Sequence, residues 1–225
     1  MTQMTRYAIY YAPPEDAFAE AAAHWLGWDI QRACAVPQPD IPGLDTDTAA
    51  PRRYGFHGTI KPPFRLAEGV SPEALAQAVE RLAARLPSVE MPGLKLVNLH
   101  GFLALIPRGH TGGLQALAAH VVRDLDPFRA ALTKAEVARR RPDRLTPRQA
   151  ELLAQYGYPH VMEEFVFHLT LTDHLPPPRA AVLEPLARAH FVNVVPQPFR
   201  VADLCLCGED QDGRFSVLHR YALSA

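Results

Sequence analysis

In Phe165–Thr172 every second residue is apolar: Phe165, Phe167, Leu169 and Leu171 alternate with Val166, His168, Thr170 and Thr172. That two-residue period predicts a strand with one face in a core and the other toward a groove or solvent. A shorter stretch, His57–Lys61, repeats it, with Phe56 and Ile60 inward and His57, Thr59 and Lys61 outward. Elsewhere the period is helical. Leu75, Val79, Leu82 and Leu86 recur on one face behind Ser71-Pro72-Glu73, a hydroxyl cap, a first-turn proline and a first-turn acid. Leu114–Leu125 has the same amphipathic spacing. Thr146-Pro147-Arg148-Gln149 has the form of a capping box for a helix reaching Tyr156. Glu15–Trp25, Phe128–Arg141 and Arg179–His190 also read as helices, the second ending in the basic run Arg139-Arg140-Arg141.

Arg6–Tyr11 reads as a strand. Two further pairs read as hairpins: Leu94–Leu99 with Phe102–Ile106, and Phe199–Cys207 with Arg214–Tyr221. The proline-rich Ala33–Arg53 reads as a long surface loop. These elements contain a repeat. His57 lies on a strand followed by a helix and two strands, and His168, 111 residues on, lies on a strand followed by the same series. The expected architecture is α+β: two pseudo-symmetric lobes in one domain spanning the chain, with antiparallel sheets lining a central cleft and helices outside. Residues 126–160 stand outside the repeat as a helical insertion.

Composition changes this picture little. With 225 residues and a formal net charge of −1, the chain has room for a shared core and no global polyanion-binding signature. The first residues lack the pattern of a secretory signal, and no apolar run reaches transmembrane length, so a cytoplasmic location without membrane association is expected. Three cysteines, Cys34, Cys205 and Cys207, do not make a disulfide framework. The histidines outside the two strands complete no familiar metal-ligand spacing, so neither metal nor cofactor is expected.

The chemistry lies in the pair His57-Gly58-Thr59 and His168-Leu169-Thr170. Chance alone gives roughly 0.6 His-x-Thr or His-x-Ser matches among ten histidines, so the shared position in two matching halves carries the signal. Histidine titrates near neutrality, so one copy can take a proton from water while the other protonates a leaving oxygen. A threonine two residues along the same face can donate to a phosphate oxygen. The two motifs resemble those of the 2H phosphoesterase superfamily. The phrases "YGFHGTIKPPF" and "LTPRQAELLAQYGYPHVMEEFVFHLTLT" resemble its branch associated with phosphonate-utilisation operons. The resemblance implies metal-independent cleavage of a cyclic phosphate ester, with His57 and His168 as acid/base pair and Thr59 and Thr170 as phosphate ligands. Gly58 stands where many members carry a larger apolar residue. The small-molecule substrate so implied is a ribose 1,2-cyclic phosphate bearing a 5-phosphate. Lys61, on the strand face of His57, and Arg65 are the candidate contacts for the second anion, and Arg139–Arg144 is either a lid over it or a solvated helix end. An RNA 2′,3′-cyclic phosphodiesterase and a non-catalytic module binding nucleotides or RNA ends are the alternatives. The sequence leaves the oligomeric state open.

Overall fold

The computed structural model describes residues 4–224. β1 (Arg6–Tyr11) and α1 (Ala17–Leu26) come first. A short hairpin of β2 (Trp28–Asp29) and β3 (Cys34–Ala35) and two short helices, α2 (Leu44–Asp47) and α3 (Ala49–Tyr54), follow. Next come β4 (Gly58–Phe64), α4 (Pro72–Ala83), β5 (Val89–Met91), β6 (Leu94–Leu99) and β7 (Phe102–Pro107). Then α5 (Gly112–Asp124), α6 (Lys134–Arg139) and α7 (Pro147–Tyr156) lead to β8 (Leu169–Thr170). The last elements are α8 (Pro177–Phe191), β9 (Phe199–Val201), β10 (Asp203–Glu209) and β11 (Phe215–Ala222).

The repeat is visible in this order: β4-α4-β5-β6-β7 is matched by β8-α8-β9-β10-β11. The fold is α+β, and both halves build one antiparallel sheet in the order β11-β10-β1-β4-β8-β7-β6. β4 and β8 lie side by side at its centre. The hairpins cross over. β6–β7 follows β4 in the chain yet pairs beside β8, while β10–β11 follows β8 and lies, through β1, on the side of β4. β5 and β9 pair with each other in a separate ladder. Each half therefore completes the sheet of the other.

Beneath one face of the sheet, α1, α4, α5 and α8 close the main core around Ile9, Ile60, Leu75, Leu105, Leu169 and Leu183, all essentially inaccessible. Fully burying side chains of this size stabilises by about 1.5–3 kcal/mol each. The four residues expected on one face of α4 are all buried, and Ser71 Oγ caps the helix by accepting from the Ala74 amide at 3.1 Å. The opposite face, over β1, β10 and β11, carries a smaller cluster of Tyr10, Cys205, Cys207 and Phe215. Cys205 and Cys207 share that face as the alternation requires. No helix among the described residues is long and apolar enough to cross a membrane.

Four sequence expectations need correction, the first being the strand Phe199–Cys207, which breaks at Ala202 into β9, paired with β5, and β10, paired with β11. Ala33–Arg53 is not a bare loop, because it folds into β3, α2 and α3, with Thr48 Oγ1 donating to the Leu44 carbonyl at the junction of the helices. Phe128–Arg141 is not one helix. Residues 129–130 pair with the end of β4 instead, the Ala130 amide donating to the Arg65 carbonyl at 2.8 Å. The chain then restarts as α6 from a capping box of Thr133 and Glu136. Finally, only Leu169–Thr170 of Phe165–Thr172 belongs to a ladder. Counting along the registers, Pro62 on β4 and Pro107 on β7 fall level with the preceding residues, and neither offers an amide to pair. The alternation persists without the ladder: Val166 is 61 % exposed and Phe167 buried. Thr172 is the exception, buried with its hydroxyl accepting from the Leu103 amide at 2.9 Å.

Candidate active site

β4 and β8 meet with Gly58 directly opposite Leu169. Counting outward from that antiparallel pair, His57 falls level with Thr170 and Thr59 with His168. The four polar residues thus occupy one sheet face around a local twofold axis. A Cβ on Gly58 would meet Phe167 Cζ at 2.3 Å. Glycine at this position leaves room for the Phe167 ring, which packs against Tyr11 and Phe199 at centroid distances of 6.1 and 5.9 Å. The departure from the larger residue expected here is therefore a packing exchange between the two motifs.

The imidazoles are held alike. His57 Nδ1 lies 2.8 Å from the Gly55 carbonyl and His168 Nδ1 lies 2.9 Å from the Val166 carbonyl, in each case two residues back. A carbonyl only accepts, so Nδ1 carries the hydrogen in both rings. The neutral form of each ring then has its lone pair on Nε2. For His57 that nitrogen is 3.1 Å from Thr59 Oγ1, whose hydroxyl can donate to it.

Their surroundings differ. His57 stacks on Tyr10, centroids 3.9 Å apart and planes inclined by 26°, with Tyr54 at 6.1 Å. Burial drives its pKa down to about 4; the Gly55 carbonyl opposes that shift and the charge of His168 adds to it. His168 has Phe102 at 5.7 Å, inclined by 57°. Burial lowers its pKa too, with the Val166 carbonyl opposing and His160 contributing. His57 is the more strongly displaced of the two.

Lys61 does not join them. Tyr10 lies opposite Thr59 while its neighbour Ile9 lies opposite Lys61, so Ile60 is the extra residue of a β-bulge. The bulge interrupts the alternation and turns Lys61 to the core face of Ile9. There it is 1 % exposed, donating to the Val122 carbonyl at 3.1 Å and facing Asp126 at 3.6 Å. Burial lowers its pKa to about 8 against the pull of Asp126. Arg65 is engaged as well, donating to both oxygens of Glu136 and to the Ala131 carbonyl. These two cations fasten residues 126–136 to the end of β4.

Between that fastened segment and α3 lies a cavity of about 420 Å³ whose wall includes Arg53, Tyr54, Arg139 and Arg140. Arg140 sits over the ring of Tyr158 at 4.6 Å, and Tyr158 meets His160 at 5.7 Å. Nothing in the sequence ties Tyr10, Tyr54 and Tyr158 to the motifs, and His160 stands there only among the histidines that complete no metal-ligand spacing. Their spacing from the motifs is irregular, and only the fold brings them together. Among the described residues, no group of three or more His, Cys, Asp or Glu side chains is arranged to hold a metal ion.

A family model described as "Protein of unknown function (DUF1045)" matches residues 59–216, taking in Thr59, His168 and Thr170 and starting two residues after His57. The chain is 38% identical over 220 residues to a Janthinobacterium sp. (strain Marseille) protein named ribose 1,5-bisphosphate phosphokinase PhnN. It is 35% identical over 214 residues to a protein of the same name from Laribacter hongkongensis (strain HLHK9). The alignments take in 93% and 92% of this chain but 49% of each relative, so the chain spans about half the length of the curated relatives it matches. Among solved structures, E. coli LigT complexed with 3′-AMP aligns with a TM-score of 0.49 and 19% identity, over 99% of this chain and 100% of that one.

Proposed function

Because the chain belongs to the DUF1045 family, whose description names no reaction, we propose its function from the paired histidines: hydrolysis of a cyclic phosphodiester by metal-independent general acid–base catalysis. One observation carries the reading. Two imidazoles on the residues that lead into adjacent central strands, related by a local twofold, are each tied at Nδ1 to the carbonyl two residues back, which leaves two Nε2 atoms for chemistry.

Hydrolysis at phosphorus makes one P–O bond and breaks another on the opposite side. His57, with its low proton affinity, is neutral at pH 7 and takes the proton of the attacking water. His168 delivers a proton to the departing alkoxide. The diester's negative charge between the rings favours one shared proton, while repulsion between two imidazolium rings opposes a second. Thr59 and Thr170 donate to the non-bridging oxygens as charge builds there. Water adds across the ester: its oxygen stays on phosphorus, and the leaving oxygen becomes a hydroxyl.

The name of the relatives supports a ribose phosphate and a role in phosphonate breakdown. Cleaving the bond to O2 in a ribose 1,2-cyclic phosphate that carries a 5-phosphate yields ribose 1,5-bisphosphate, the compound in that name. The test is a turnover screen of this cyclic phosphate against 2′,3′-cyclic nucleotides, run with and without chelator. Opening of the ribose compound at an undiminished rate in chelator is expected. Loss of activity on removing metal, or unchanged turnover in His57→Ala or His168→Ala, would overturn the reading.

A further inference from the structure

The cavity beside Tyr54 is rich in cations, and most are already committed. Arg6 is paired with Glu209, Lys61 and Arg129 with Asp126, and Arg65 with Glu136. The one carboxylate in the cavity wall, Glu136, is engaged twice, by Arg65 and by the Thr133 amide. Among the described residues, that leaves Arg53, Arg139 and Arg140 without a carboxylate at ion-pair distance, although the charge of Arg53 acts on Glu209 beside Arg6. Three guanidinium groups gathered around one cavity repel one another unless an anion lies among them.

Two of the three are oriented by the fold. Arg140 is half-buried and lies flat over Tyr158, a contact that fixes the plane of its donors. Arg53 ends α3 beside Tyr54, and its guanidinium rests so close to Gly213 that a Cβ there would meet Nη2 at 2.4 Å. Tyr54 joins the cavity to the reacting centre, since it lines the wall and its ring lies 6.1 Å from that of His57. A second bridge runs from Arg140 through Tyr158 to His160, whose charge acts on His168. The cavity is thus one aromatic ring away from His57, and two rings, Tyr158 and His160, lead from Arg140 toward His168.

Resting on the phosphoesterase reading above, we propose that this cavity is a second anion subsite, in which Arg53, Arg139 and Arg140 bind a phosphate monoester at the far end of the sugar whose cyclic phosphate lies between His57 and His168. Arginine suits the task because its planar fork matches two phosphate oxygens at once. The subsite selects a substrate with two phosphate groups held apart by a pentose. It disfavours cyclic nucleotides that carry a base and no second phosphate.

The experiment compares kcat/KM for ribose 1,2-cyclic phosphate with and without the 5-phosphate, in the wild type and in Arg53→Ala, Arg139→Ala and Arg140→Ala. Strong wild-type preference for the 5-phosphate compound is expected. Each arginine variant should reduce that preference about tenfold, chiefly through KM. Arg200→Ala, exposed on β9 away from the cavity, is the control and should retain the wild-type ratio. A wild-type ratio near one, or proportional losses on both compounds, would overturn the subsite. If the wild type opens neither compound, the catalytic reading fails and the subsite is tested by calorimetric titration with ribose 5-phosphate. Binding kept in His57→Ala but weakened about tenfold in Arg53→Ala or Arg140→Ala then supports it; equal binding in all variants rejects it.

Discussion

His57 and His168 share a motif, a strand pairing and a hydrogen bond to the carbonyl two residues back. They do not share a floor. His57 is pressed against the ring of Tyr10, which is itself wholly buried among Cys205, Cys207 and Phe215. His168 has Phe102 beside it at a steeper angle and the exposed His160 beyond. The difference arises where the repeat ends. β1 intrudes between β4 and the hairpin β10–β11, so one motif lies against a strand that has no counterpart beside the other. Symmetry of the backbone supplies two equal imidazoles, and asymmetry of the packing gives them unequal proton affinities.

The comparison breaks most decisively in turnover. His57→Ala and His168→Ala should each lower kcat by about 10²–10⁴-fold, and the double variant should fall little further, because the pair acts as a unit. Stopped assays on the cyclic phosphate measure this, and additive losses would mean two independent roles. The next largest effect concerns the join between the motifs. Gly58→Val should destabilise the fold by about 1–3 kcal/mol in urea unfolding, because the ring of Phe167 occupies the space. Phe167→Leu in the same chain should recover part of that loss.

Proton affinity sharpens the contrast further. In an NMR titration the His57 midpoint should lie near 4 and below that of His168. Tyr10→Leu, which removes the stacked ring, should move the His57 midpoint upward and leave His168 nearly in place. The consequence for stability has a definite sign. The unfolded chain takes up this proton near pH 6.5, whereas the folded chain resists until about 4. Stability should therefore decline as pH falls through that window and be fully present above it, as urea midpoints across pH will report. The smallest effect is expected from Tyr10→Phe. The Tyr10 hydroxyl is buried without a hydrogen-bond partner among the described residues, so its removal should raise stability by at most about 1 kcal/mol.

Much of the site was legible because strands have a short period. Alternation assigned His57, Thr59, His168 and Thr170 to one side and Phe167, Leu169 and Ile60 to the other, and the burial of these residues agrees. The same rule failed at Lys61, two residues past Thr59. A single inserted residue, Ile60, reversed the face, and nothing in the local pattern announces a bulge. It failed again for Phe128–Arg141, where helical spacing is present but the backbone of Ala130 pairs with Arg65. Local propensity in such segments is a weak prior that tertiary pairing overrides.

Caps, periods and motif spacing act over a few residues, so the amino-acid order alone established the amphipathic helices, the two hairpins, the duplicated strand–helix–hairpin series and the pair of His-x-Thr faces. What depends on partners far apart in the chain came only from the folded molecule: the crossing of the hairpins, the stack of Tyr10 on His57, the diversion of Lys61, and the gathering of Arg53 from α3 with Arg139 and Arg140 from beyond β7. Such contacts join residues tens to hundreds of positions apart. Their geometry is set by which strand lies beside which, a choice made by the packing of the whole sheet.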